Sequence, residues 1–177
     1  MSRLFSYICK RKDTNMVKEE KVCWFATITR SGQWKKIDRR LDELGVGHYI
    51  PYSYRTLVFL HTTKSNALTL VNSGEVKGRF MIDHNTRTLL EVPDKQMDDF
   101  IRILDLSPDT ECLTQVPLVK GDRVRVVKGP LSGVEGDIVE TPQGLYLTVS
   151  VLSLLCARVE IPKSYVVPAG GPKTRNN

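Results

Sequence analysis

The sequence predicts an α+β protein in two parts: an N-terminal α/β sandwich, helices against an antiparallel sheet, and then a small β-barrel. Three observations carry this. Val22–Thr29 is an alternating run of aromatic and β-branched residues, two later segments carry the helical period, and after residue 117 that period gives way to short β segments. The chain of 177 residues is long enough for two small domains.

Taken in order, residues 1–20 are polar, charged and without period, and are expected to form a flexible tail. In the strand at 22–29, Trp24, Ala26 and Ile28 share one face, while Cys23, Phe25 and Thr27 share the other. Apolar groups on both faces predict a central strand covered on both sides. Ser31 is placed as the N-cap of a helix whose apolar positions are Trp34, Ile37, Leu41 and Leu44, with Gly45 and Gly47 as its stop. Its opposite face mixes Lys35, Lys36, Arg39 and Arg40 with Asp38, Asp42 and Glu43, the pattern of a solvated surface.

Strands are expected at His48–Tyr54 and Leu57–Thr62, then a weak helix at Thr63–Val71 capped by Thr62 or Thr63. Strands at Lys77–Asp83 and Thr88–Val92 flank an Asn85-Thr86 turn. Pro93 opens a helix with Met97, Phe100, Ile101 and Leu104 at i, i+3, i+4 and i+7. These elements define a domain over 21–107, and Ser107-Pro108 and Pro117 bracket a linker at 108–117. A second domain over 118–168 holds β segments at Arg123–Val127, Val134–Glu140, Leu145–Val151 and Arg158–Ile161, with a tail at 169–177. The run Val149–Cys156 is unusually apolar and reads either as a tight core strand or as a partner surface.

Composition narrows the function classes. Net charge is +6, but the two tails carry about two-thirds of it, leaving too little on the body for a surface that coats nucleic acid. Cys9, Cys23, Cys112 and Cys156 are dispersed, and His48, His61 and His84 lack ligand spacing, so neither a zinc site nor any other cofactor is expected. Such thiols suit a reducing cytoplasm. No apolar span reaches the ~18–20 residues of a membrane helix. No Ser/His/Asp set or phosphate loop is present, so a non-catalytic monomer is expected.

One block is more specific. Lys120-Gly121-Asp122-Arg123-Val124-Arg125-Val126 leads into Lys128-Gly129-Pro130-Leu131-Ser132-Gly133-Val134-Glu135-Gly136-Asp137-Ile138-Val139. Alternation turns Val124 and Val126 inward and Arg123 and Arg125 outward. Gly129 and Gly133 permit a tight loop around Pro130, and Gly136 sits where packing disfavours a side chain. The block resembles the KOW motif. In the preceding domain Trp24-Phe25-Ala26-Thr27 with Ser31-Gly32-Gln33-Trp34-Lys35-Lys36, His48-Tyr49-Ile50-Pro51-Tyr52, Leu57-Val58-Phe59-Leu60 and Val92-Pro93-Asp94 resemble the N-terminal (NGN) domain of the NusG family. The resemblance covers roughly residues 21–168, and Arg79-Phe80-Met81-Ile82 and Val92–Met97 look closest to UpxY-like antiterminator paralogues. One departure is the short Ser53–Thr56 connection before the third strand, where the family has a longer loop.

The resemblance implies an NGN-like domain joined to an SH3-like KOW barrel, acting in transcription elongation or antitermination at polysaccharide-type operons. The first domain would dock on the clamp helices of the RNA polymerase largest subunit through Trp24, Ile28, Leu57 and Phe59, with Tyr52 and Tyr54 at the rim. Arg30, Gln33 and Arg40 match positions that meet non-template DNA. His61-Thr62-Thr63 resembles a polar triplet used against the polymerase, although helix capping explains it more simply. The barrel would recruit a ribosomal protein, a termination factor or RNA. Its six basic and five acidic residues favour a protein. Alternative readings are a housekeeping elongation factor and a KOW-type ribosome- or RNA-binding protein.

Overall fold

The computed structural model describes residues 20–83, 85–106, 113–114, 121–151 and 155–169. The expected tails fall outside these residues apart from Glu20 and Ala169, as does most of the linker. The described residues form a mixed α/β structure with antiparallel sheets and three α-helices.

The first sheet holds β1 (Val22–Thr29), β2 (Gly47–Tyr49), β3 (Leu57–Thr63), β4 (Gly78–Phe80) and β5 (Glu91–Val92). Its path is β2-β3-β1-β4, with β5 also paired to β1. β1 is central, as its two apolar faces require. Helices α1 (Trp34–Leu44) and α2 (Lys64–Asn72) connect β1 to β2 and β3 to β4. All pairings are antiparallel, so each helix links two strands that run parallel with a third between them. That is the split β-α-β arrangement.

Both helices pack on one face: Ile37 and Leu41 of α1 and Leu70 of α2 meet Val58 and Leu60, and Ala67 meets Cys23 and Phe25. The other face takes α3 (Asp94–Leu106), whose Met97, Phe100 and Ile103 cluster with Trp24, Ala26, Leu57 and Phe59.

A second sheet follows the path β11-β7-β8-β9-β10-β6. It comprises β6 (Leu113–Thr114), β7 (Asp122–Val126), β8 (Glu135–Thr141), β9 (Gly144–Val151), β10 (Leu155–Glu160) and β11 (Val166–Pro168). Val124, Val126, Leu147, Val149, Val151, Leu155, Ala157 and Ile161 form its core, which is continuous with that around α3. In the run Val149–Cys156, Val149, Val151 and Leu155 are therefore core, while Ser150 and Cys156 pair across strands on the opposite face.

Several local expectations are corrected. The α1 N-cap is Gln33, with no side-chain capping bond, and not Ser31. Gly45 closes the helix at φ 65°, as expected. The strand expected over His48–Tyr54 ends at Tyr49, because Pro51 starts turns in which Tyr54 N–H bonds Pro51 O and Leu57 N–H bonds Tyr54 O. Thr63, not Thr62, caps α2, accepting from Asn66 N–H at 3.3 Å. The linker span donates β6 to the edge of the second sheet, against Cys156 and Ala157. β11 was not anticipated; it pairs with β7.

Three carboxylates carry the pH dependence. Glu75 is held below the usual range by hydrogen bonds from Arg40, Glu135 by those from Arg125, and Glu20 by Ser65 at the start of α2. A depressed folded-state value means stability present above about pH 4.5 and lost as pH falls through the folded value. Asp98 opposes them: desolvation, with the charges of Asp94 and Asp99, raises its carboxyl, a contribution that turns unfavourable above its ordinary 3.8. Melting temperatures measured from pH 3 to 6 should therefore rise with pH, and Glu75→Gln with Glu135→Gln should flatten the rise. An unchanged slope in the double variant would contradict these pairings.

Candidate docking and nucleic-acid interface

Register places the six expected polymerase-docking residues. Ile28 opposes Leu57 and Ala26 opposes Phe59, so Trp24, Ile28, Leu57 and Phe59 share one face of the sheet. That face lies against α3. Trp24, Leu57 and Phe59 are buried, with Phe59 meeting the Phe100 ring edge-on at 6.3 Å and Tyr49 meeting it at 6.5 Å. Ile28 and Tyr54 are half-buried against the same cluster, and Tyr52 is 70% exposed. Trp24 also packs at 4.6 Å on the ring of His61, its cross-strand partner.

Unexpectedly, α3 is a wall shared by both sheets. Gln96 Nε2 donates to Ser150 O at 2.6 Å, and Lys95 Nζ to Gly133 O at 3.0 Å. Arg102 donates to Pro130 O and Ser132 O at 2.8 and 3.0 Å. Asp99, 3% exposed, accepts from Glu135 N–H at 3.1 Å and from the Lys95 ammonium. The Gly129–Gly133 loop is thus held by cations of α3 through its own carbonyls. Sequence reasoning missed Lys95, Asp99 and Arg102. Their i, i+4, i+7 spacing was a usable signal, but a charged stripe on a helix is ordinarily solvated.

Along α1 the three expected DNA contacts separate. Arg30 is exposed before the turn, and Gln33 is the N-cap. Arg40 is not free, as its place off the core face had suggested. Glu75 grips it through Nε at 2.6 Å and Nη2 at 3.0 Å, and Glu43 takes Nη1 at 3.0 Å. This bidentate pair raises the Arg40 guanidinium above its usual value and, with Glu43, commits three of its five N–H donors to carboxylates. Lys36, Arg39 and Lys77 line the same cleft of about 380 Å³, and none of them makes an ion pair among the described residues.

Arg55 lies over two rings, 4.6 Å from Trp34 and 4.2 Å from Tyr52, and its Nε donates to Tyr52 O at 3.0 Å. Lys35 stands 5.4 Å from the Trp34 ring. The exposed Tyr52 ring ends a ring–guanidinium–ring column flanked by bases. Trp34 and Tyr52 are 18 positions apart, so periodicity alone could not unite them.

The glycine-rich block forms β7, a loop and β8. Val124 and Val126 are buried, while Asp122, Arg123 and Arg125 are exposed, and Arg125 bonds Glu135 at 2.7 Å. Gly129 and Gly133 take φ of 76° and 89° around Pro130. A Cβ on Gly121 would lie 1.9 Å from Ile138 O, and one on Gly136 2.5 Å from Thr148 O.

No family model matches the chain, and no curated protein does. Among solved structures, a chain from the crystal structure of the MjSpt4:Spt5 complex in conformation B is 18% identical, over 85% of this chain and 99% of that one, with a TM-score of 0.30. A chain from conformation A of the same complex is 16% identical, over 82% and 96%, with a TM-score of 0.30.

Proposed function

We propose that this protein is a NusG-type transcription elongation factor that binds RNA polymerase and suppresses pausing or termination, as a specialised, operon-specific antiterminator. The observation that carries the reading is the Gly121–Val139 block. It resembles the KOW motif in sequence, and it folds as a hairpin in which Gly129 and Gly133 take positive φ while Gly121 and Gly136 sit at close backbone approaches. The split β-α-β sheet that precedes it supports the NGN resemblance. In this reading the second sheet is an SH3-like barrel, and the role is binding without catalysis in the cytoplasm.

Docking on the polymerase clamp helices would use the accessible surface of Ile28, Tyr52 and Tyr54. Buried Trp24, Leu57 and Phe59 hold that surface from beneath. A factor that prefers the pause-free polymerase conformation shifts the enzyme's population toward it. Non-template DNA would run along Lys36, Arg39 and Lys77 and stack a base on Tyr52. Arg30 and Gln33 lie along the same track, whereas Arg40 braces α1 against Glu75. Ribosomal protein or termination factor recruitment falls to the second sheet. There the pairing of Arg125 with Glu135 disfavours the alternative of an RNA-binding KOW protein.

Two measurements test this. The immobilised full chain should retain core polymerase from purified components, and failure to do so would remove the proposal. On assembled elongation complexes, Lys36→Ala with Lys77→Ala should weaken binding and reduce the salt dependence by about 0.7 log units per lost single-strand phosphate contact. Tyr52→Ala should weaken binding by about 1–3 kcal/mol if a base stacks there. Equal affinities for all variants across the salt series would leave these residues as solvated surface.

A further inference from the structure

Two buried polar side-chain atoms, Gln96 Oε1 and Thr148 Oγ1, lack a hydrogen-bond partner among the described residues, and beside them the buried Ser150 hydroxyl has only the weakly bonding Cys156 thiol. Gln96, Thr148 and Ser150 line one cleft of about 450 Å³ between α3 and the strands β8 and β9. Buried polar atoms are ordinarily paired, so these groups gathered in one place mark a wall that can meet polar groups of a ligand, none being supplied by the described residues. Thr148 is only 5% exposed, shares a face of the sheet with its partner Asp137, and lines the cleft together with Gln96 and Asp99 of α3.

The rest of the wall limits what fits. The lining mixes apolar surface, to which Pro93 and Val149 belong, with polar and charged side chains. Lys95 is held by Asp99, and Glu135 by Arg125, so their charges are spent within the protein. Arg123 reaches Glu135 only at 3.8 Å, and Asp137, its strand partner, makes no ion pair among the described residues. Lys95 and Arg123 against Asp99, Glu135 and Asp137 leave the lining one negative charge in excess. An anion is therefore disfavoured, while the apolar part of the lining suits the C–H faces of a neutral ligand. Two hydroxyls that both donate and accept, one amide oxygen and one carboxylate are matched by hydroxyl groups, which do the same.

We propose that this cleft binds a small uncharged molecule carrying several hydroxyl groups, seated between Gln96 of α3 and Thr148 and Ser150 of β9. A ligand touching both walls stabilises their pairing in proportion to its occupancy. The site is independent of polymerase binding, so either reading can fail without the other.

The test uses the full chain with myo-inositol, D-glucose and inorganic phosphate as probes, followed by ligand-detected NMR and calorimetry. Saturable binding of myo-inositol or glucose, with none of phosphate, is the expected result. Thr148→Val keeps the side chain's shape and removes its hydroxyl. It should fold at least as stably as the wild type and bind roughly tenfold more weakly, as the loss of one hydrogen bond predicts. Asp137→Asn gives a second variant outside the buried wall and should also weaken binding. Absence of saturable binding, equal binding by Thr148→Val, or preference for phosphate would each overturn the proposal and leave the cleft as a hydrated seam.

Discussion

Replacing Phe100 by alanine should destabilise the whole chain by about 3–5 kcal/mol, near the upper end for a core substitution. Phe100 is fully buried and meets Phe59 and Tyr49 edge-on. Its helix is also packed against β9 and β10. Loss of the ring opens a cavity on the sheet side, and α3 cannot close it by shifting. Gln96, Asp99 and Arg102 tie it to Ser150, Glu135 and the Pro130–Ser132 carbonyls on its other side. Denaturant titration should show one shifted transition, by tryptophan fluorescence for the first sheet and by amide exchange at Leu147 and Val149 for the second. Phe100→Leu should cost much less. Separate transitions for the two sheets would show that the shared wall does not make them one cooperative unit.

Gly136→Ala should cost at least the ~1–3 kcal/mol typical of an overpacked core, through a single methyl group. The added carbon would lie 2.5 Å from Thr148 O, 3.0 Å from Val149 Cγ2 and 3.1 Å from Leu147 Cδ1. The first of these is backbone of the neighbouring strand, so relief requires β8 and β9 to separate locally, disturbing the Asp137–Thr148 pairing. Gly133→Ala provides the contrast. It meets nothing within 4 Å, and its penalty comes only from a φ of 89°. Thermal denaturation should rank Gly136→Ala as the more damaging of the two, and the reverse order would mean that the second sheet can expand around residue 136.

Much of the fold was legible because it is written in short-range patterns. Period-two alternation in Val22–Thr29 assigned both faces of β1, and the two faces do cover different helices. Glycine positions marked the α1 stop and the β7–β8 loop, where left-handed φ is needed. Less legible were elements that sequence-local rules do not specify. β6 and β11 are two- and three-residue edge strands, too short to show alternation, and only their partners β10 and β7 define them. On α3, periodicity identified Met97 and Phe100, but Ile103 and Asp99 are buried where Ile101 and Leu104 had been expected to lead. A helix between two sheets buries more than one stripe.

By itself the sequence determined the mixed α/β character, the places of the three helices and of the main strands, the central position of β1 and the glycine-dependent hairpin. Each follows from backbone sterics or from the spacing of apolar residues within about ten positions. Tertiary structure alone decided which charges are available and which surfaces are covered. Arg40 looks like a free surface base until Glu75, 35 positions away, engages it. Lys95, Asp99 and Arg102 look solvated until segments 28 to 38 positions away supply carbonyl and amide partners. Tyr52 and Trp34 become one column only through Arg55. The physical reason is the same in each case. A charge or an aromatic ring takes its role from whatever packs beside it, and those neighbours are brought together by the fold rather than by position along the chain.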